Sequence, residues 1–244
     1  MKNIVVRIIG ITIIGFSMCV MLPTFAGTWR DDFEDNYTQE WKIFNHVRQD
    51  EKWWINDDEA VGEIFKLGFM SLWLTGDLKW EYYSVSCKAK LVKDSNEPPT
   101  IGLTLHDRGW EDSRYLFFID YIIDTARIVR ATFNDWLMMP FPFVPEEDTW
   151  YQLTATVFED GTLEFRIQNL DAELDTDPQV FTAFDPDPLP GGQAGLVVAD
   201  ARARFDDVEI TGDNIPNGGP GRRTPRAVAP QAKLTTTWAK LKMK

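Results

Sequence analysis

The chain has 244 residues, 38 acidic against 25 basic, a formal net charge of −13, and 44% hydrophobic with 26% charged residues. These proportions are ordinary for a folded soluble protein and exclude fibrous, disordered and multi-span membrane classes. Charge is segregated: residues 1–26 carry two basic groups and no acid, residues 222–244 carry seven and no acid, and residues 27–221 hold 16 basic against 38 acidic groups, a net of −22. Such a body repels nucleic acid, so no nucleic-acid partner is expected.

In chain order, Lys2 and Arg7 precede a largely apolar run from Ile8 to Leu22. Pro23-Thr24-Phe25-Ala26 then places small residues at −3 and −1 of a cut after Ala26. This pattern predicts a signal peptide over 1–26 and a secreted, periplasmic or cell-surface protein. The competing reading is a retained anchor, since the run approaches the length of a membrane span. Cleavage removes Cys19 and leaves Cys87, so no internal disulfide supports the domain.

From Trp29 to Ile210 the pattern is strand after strand. Ser84–Val92 sets Val85, Cys87, Ala89 and Leu91 on one face and Ser86, Lys88 and Lys90 on the other, which predicts a buried, inert thiol at Cys87. Ile101–Leu105 repeats the alternation, with Thr104 and His106 opposite the apolar set. Arg114–Tyr121 and Ala126–Thr132 follow around a turn at Asp124. Tyr151–Phe158 and Thr162–Gln168 flank Glu159-Asp160-Gly161, a hairpin signal, and Gly195–Ala199 and Ala203–Thr211 close the series. Asn134–Thr149 and the acidic Leu170–Gln193 read as long loops, the second a solvated one. Helical periodicity is missing throughout. The prediction is an all-β, antiparallel two-sheet β-sandwich or jelly roll over residues 27–212.

Beyond Gly212 the composition breaks. Pro216, Gly218-Gly219-Pro220-Gly221, Pro225 and Pro230 make a linker, and Leu234–Lys244 ends in a basic tail. The tail is the one segment expected to make weak contact with a membrane or another anionic surface, through Lys and Arg side chains.

Chemistry is first bounded by what is missing. His46 and His106 form no His-x-x-x-His arrangement, and the sequence has neither a Gly-x-Ser-x-Gly elbow nor a Gly-rich phosphate loop. Two-carboxylate glycoside hydrolysis needs a pair of acids held about 5–9 Å apart. Asp120 in Phe117-Phe118-Ile119-Asp120-Tyr121 has no second carboxylate two positions away.

Several segments carry a family resemblance. They are Trp29-Arg30-Asp31-Asp32-Phe33, Trp41, Trp53-Trp54-Ile55, Leu74-Thr75-Gly76-Asp77-Leu78 ahead of Tyr82-Tyr83-Ser84-Val85, the strand Tyr115–Tyr121, Thr149-Trp150-Tyr151-Gln152-Leu153, and Phe205-Asp206-Asp207-Val208. Together they resemble the concanavalin A-like lectin/glucanase superfamily, especially laminin-G-like and 3-keto-disaccharide hydrolase-like domains, over about residues 28–212. The resemblance implies two curved antiparallel sheets, carbohydrate on a concave face or rim, and often a structural calcium. The Glu-x-Asp-x-Glu strand motif of the glucanases is absent here, which argues against that activity.

Three functional readings follow. The leading one is a non-catalytic module that binds a glycan or surface polysaccharide. Its candidate ligand residues are Lys88, His106, Trp110, Arg114, Asp120 and Trp136, since an aromatic platform beside polar side chains suits a sugar ring. The second is an enzyme acting on a 3-keto sugar, with carboxylates and His106 as acid/base groups. The third is a laminin-G-like protein-interaction domain tethered by its tail. Strand parity puts Asp31 with Trp29 and Phe33, and Asp206 with Val208 and Ile210, so a calcium ion clamped by Asp31 and Asp206 between the first and last strands is expected. Trp41, Trp53 and Trp54 are assigned to the core.

Overall fold

The structure, a computed structural model, describes residues 26–45, 51–66, 68–94, 99–109, 113–172 and 177–220. Among them lie fifteen strands, numbered β1 to β15 in chain order, and no helix. They form two antiparallel sheets. Sheet one runs β13 (Gln179–Phe184), β12 (Thr162–Asn169), β11 (Trp150–Val157), β6 (Ser84–Asp94), β15 (Ala201–Gly212), β4 (Glu59–Ile64) and β3 (Lys52–Asn56), with β1 (Gly27–Asp31) also on β15. Sheet two runs β10 (Trp136–Pro142), β9 (Thr125–Thr132), β8 (Ser113–Asp120), β7 (Thr100–Asp107), β14 (Gln193–Ala199), β5 (Met70–Thr75) and β2 (Lys42–Asn45).

Alternation in sequence becomes alternation in space. Val85, Cys87, Ala89 and Leu91 of β6 meet Ile101, Leu103 and Leu105 of β7 in one apolar core. Phe165 from sheet one and Phe117 from sheet two stand 5.9 Å apart across it. Burying each such ring contributes about 1.5–3 kcal/mol. Cys87 is fully buried, and burial drives its thiol far above the ordinary range, so it stays protonated and inert.

β15 is the longest strand, and it pairs with β6 along its length while its other edge serves two partners. Ala201–Phe205 pair with β4, and Val208–Gly212 pair with β1. A bulge sits at the handover, where Asp207 adopts a left-handed φ of 49° and the register with β6 shifts. One extra residue reverses parity. Phe205, Val208 and Ile210 therefore face the core, while Asp206 faces outward beside Lys88.

Asp31 faces inward. It is 1% exposed, and its carboxylate accepts the Phe33 N–H at 2.9 Å and the Trp41 indole N–H at 2.7 Å. Trp41 in turn stacks on Trp73 at 4.7 Å, and Trp73 on Trp53 at 5.3 Å. The structure does not bring together the two residues expected to hold calcium. Asp31 and Asp206 lie on opposite faces of sheet one, and among the described residues no group of three or more His, Cys, Asp or Glu side chains converges on a metal position.

Other expectations also change. Both predicted long loops contain an edge strand. β10 tolerates Pro140 and Pro142 because an edge strand has no neighbour on one side. In the loop read as solvated, Asp185 is buried and accepts from Tyr115 Oη at 2.6 Å and Arg130 Nε at 2.8 Å. Trp54 pairs with Val61 and lies on the outward face, while its neighbour Trp53 packs inward against Trp73 and Phe205. The start of the expected linker folds back on β1, with Arg30 N–H donating to Gly218 O at 2.8 Å and Gly218 N–H to Thr28 O at 3.0 Å. At Gly219, with φ of 113°, an added Cβ would lie 1.9 Å from Arg30 O, so only glycine fits. The basic tail, the signal segment and His46 lie outside the described residues.

Asp31 generates a test. Burial pushes its carboxyl up to about 6, against the lowering effect of the Trp41 and Phe33 hydrogen bonds. Asp31→Asn turns an amide N–H toward one of two N–H donors and lowers stability by about 1–3 kcal/mol, measurable by urea unfolding. Because the folded-state pKa is raised, the wild-type contribution is complete below the unfolded value of 3.8 and is lost as pH rises through about 6. The stability gap between wild type and variant therefore narrows from pH 4 to pH 7. A gap that widens contradicts the assignment.

Candidate functional site

The outward face of sheet two is not an open polar surface. Leu72, Leu74, Leu116, Phe118, Val129, Ala131 and Val197 form a second buried apolar cluster there, with Phe44 and Met70 packed against it. The sheet is curled over this face. Phe44 on β2 and Arg114 on β8 are separated by three intervening strands, about 19 Å apart in a flat sheet. Yet the Arg114 guanidinium carbon lies 5.1 Å from the Phe44 ring centroid. The two side chains can meet only across a concave floor, and this concave side of sheet two is where Arg114, Asp120 and Trp136 stand.

Arg114 is 3% exposed and is anchored from below. Its Nε lies 3.5 Å from Asp107 Oδ2. Asp107, fully buried, also accepts Thr104 Oγ1–H at 3.2 Å and the Gly109 N–H at 2.9 Å. Burial raises the Asp107 pKa and lowers that of Arg114, and each charge counteracts the effect on the other. Held together, the pair presents a rigid, charge-balanced guanidinium.

The register then makes a trough. Arg114 pairs with Ala131 and Ala131 with Trp136, so the three occupy one row on one face. Arg114 and Trp136 are two strand spacings apart, about 10 Å, with only a methyl group between them. The space is about 60 Å³, bounded also by Gly109, Ser113, Thr132 and Phe133. Sites that enclose a small molecule span ~300–1,000 Å³, so this trough admits one polar edge of a ligand and no more. Trp136 is 43% exposed at the rim.

The remaining candidates separate. His106 sits at a second bulge, with φ of 53° and a register shift against β14, which turns its ring into the core. It is fully buried between Tyr83 and Tyr115. Its Nε2 accepts the Tyr82 N–H at 3.3 Å, which puts the proton on Nδ1, and Nδ1–H donates to Leu189 O at 3.1 Å. Burial lowers its pKa and keeps it neutral. With both nitrogens used and no exposure, His106 holds loops together and offers nothing to a ligand or to acid/base chemistry. Asp120 is 6% exposed and caps the β8–β9 turn, accepting Ile122 and Ile123 N–H and pairing with Arg127 at 3.1 Å. Lys88 lies on the opposite sheet with Asp206. Trp110 lies outside the described residues. Of the six predicted ligand residues, then, the structure brings Arg114 and Trp136 together. Asp107 and Ala131 were missed, since neither carries a signal until the register is known.

Comparison with solved structures adds to this geometry. The fold matches the carbohydrate binding module CBM66 from Bacillus subtilis with a TM-score of 0.53 at 20% identity, over 70% of this chain and 94% of that one. The likeness extends to a legume lectin-like domain from Entamoeba histolytica, with a TM-score of 0.53 at 10% identity over 78% and 97% of the two chains. It also extends to a xylan β-1,4-xylosidase from Bacillus halodurans, with a TM-score of 0.52 at 13% identity, over 75% of this chain and 39% of that one. At these identities the likeness speaks for fold. No protein-family model and no curated sequence matches the chain.

The anchoring pair can be tested directly. Removing the Asp107 carboxylate strands a buried guanidinium, so Asp107→Ala costs about 3–5 kcal/mol in denaturant unfolding. Asp107→Ala combined with Arg114→Met restores most of that loss. A double variant as unstable as the single one shows that the pair is not coupled.

Proposed function

We propose that this chain is an exported carbohydrate-binding module that takes the polar edge of a neutral sugar into the Arg114–Trp136 trough. The observation that carries the reading is a buried guanidinium facing an exposed indole across a single alanine. A sugar ring presents a flat C–H face and an edge of hydroxyls. The indole takes the first, and the fixed N–H fork of an arginine takes the second. Asp107 balances the Arg114 charge, and the body at −22 disfavours anions, so an uncharged ligand fits best. The 60 Å³ volume suits the terminal unit of a chain, held by its edge. A carbohydrate binding module and a lectin-like domain of the same fold support the class of ligand.

Export rests on residues 1–26, and attraction to anionic surfaces on residues 222–244. The tail contribution weakens as added salt screens it.

A screen of neutral oligosaccharides by isothermal titration calorimetry tests the reading. Trp136→Ala lowers affinity at least tenfold while leaving the melting temperature within a few degrees, since the indole is exposed at the rim. Unchanged affinity in that variant removes the trough as the binding site.

A further inference from the structure

The outward face of sheet one carries a feature that the trough does not use. Along one register row, Trp54 pairs with Val61, Val61 with Arg204, Arg204 with Lys90, and Lys90 with Trp150. Five strands thus line up two tryptophans with an arginine and a lysine between them. Four strand spacings separate the indoles, about 19 Å. The next row along the same face contains Asn56, Glu59, Asp206, Lys88 and Gln152.

Two adjoining hollows lie over these rows. One, about 300 Å³, is lined by Glu59, Lys88, Trp150, Leu170, Asp171 and Asp206. The other, about 240 Å³, is lined by Trp54, Asn56, Val61, Val92, Arg202 and Arg204. They join where Arg204 of the second pairs with Glu59 of the first. Each indole is half-buried, fixed from below with part of its surface left to solvent. Lys90 lies 6.0 Å from the Trp150 ring centroid, and the Trp150 backbone N–H donates to Asp171 Oδ2 at 2.8 Å.

The cations of this floor are all paired. Lys88 pairs with Asp206 at 3.4 Å and Asp207 at 2.5 Å, Lys90 with Asp148 at 2.9 Å, Arg204 with Glu59, and Arg202 with Glu63. Within a body at −22, each of these cations is paired with a carboxylate, so none is left over to select an anionic polymer. Its carboxylates repel nucleic acid and acidic polysaccharide, and its apolar side chains are divided between two hollows by paired charges instead of forming the one apolar patch a protein partner would bury. An uncharged chain with repeating hydroxyls and flat C–H faces fits both the platforms and the forks between them.

We infer that the outward face of sheet one, from Trp54 to Trp150, is a second binding surface that engages the interior of an extended neutral polysaccharide. It rests on the glycan-binding reading above but uses different residues on the opposite sheet. The trough takes a chain end, and the groove takes a run of internal units.

The test compares wild type, Trp136→Ala, and Trp54→Ala with Trp150→Ala. Binding is measured by titration calorimetry with neutral di- and hexasaccharides and by affinity gel electrophoresis with soluble xylan and mixed-linkage β-glucan. The expected result is at least a tenfold loss of hexasaccharide affinity and of polysaccharide retardation in the Trp54/Trp150 variant, with disaccharide affinity unchanged. If that variant binds hexasaccharide as wild type does while Trp136→Ala loses all binding, the groove is refuted and the trough stands. If the Trp54/Trp150 variant alone loses binding, the groove stands and the trough falls. Wild type that binds none of these sugars overturns both. A second arm uses unmutated protein, with N-bromosuccinimide oxidation of Trp54 and Trp150 mapped by mass spectrometry. The hexasaccharide protects both indoles if it occupies the groove, and lack of protection at saturation refutes it.

Discussion

The structure depends on the path of one strand. β15 supplies the middle of sheet one, pairing with β6 on one edge and with β4 and then β1 on the other. A strand that changes partners along one edge must accommodate a break in register, and the bulge at Asp207 supplies it. The same single extra residue keeps Phe205, Val208 and Ile210 in the core and turns Asp206 out beside Lys88. A regular strand would bury a carboxylate or expose an aliphatic row. The bulge avoids both, and it places Asp206 in the groove floor.

The two outward faces have diverged in character. Sheet two is curled, and its concave side is filled by its own apolar residues and closed by the contact between Arg114 and Phe44. What remains accessible is the edge, where Ala131 leaves a gap between a buried guanidinium and an exposed indole. Sheet one carries charge instead, but the charge is paired along its rows. Surface ion pairs of this kind add little to stability. Their use is to hold long side chains in fixed positions between the two tryptophans.

Much of the fold was legible in the sequence. The alternation in Ser84–Val92, Ile101–Leu105 and Tyr151–Phe158, the Asp160-Gly161 turn and the pairing of first and last strands all appear as expected. The departures have two physical causes. β10 and β13 were hidden because edge strands tolerate proline and need a neighbour on one side only. His106 and Asp206 were placed on the wrong faces because each lies at a bulge with a left-handed residue. Nothing local distinguishes an aspartate or histidine at positive φ from one in a regular strand.

By itself, then, the sequence determined the class of fold, the inert Cys87 and the acidic body, since these follow from period, composition and charge. Tertiary structure alone decided which side chains stand together. Arg114, Ala131 and Trp136 become one trough, and Trp54, Arg204, Lys90 and Trp150 one row, through cross-strand registers set by long-range pairing. Register is a property of two strands at once, and a shift of one residue exchanges the faces. No single segment carries that information.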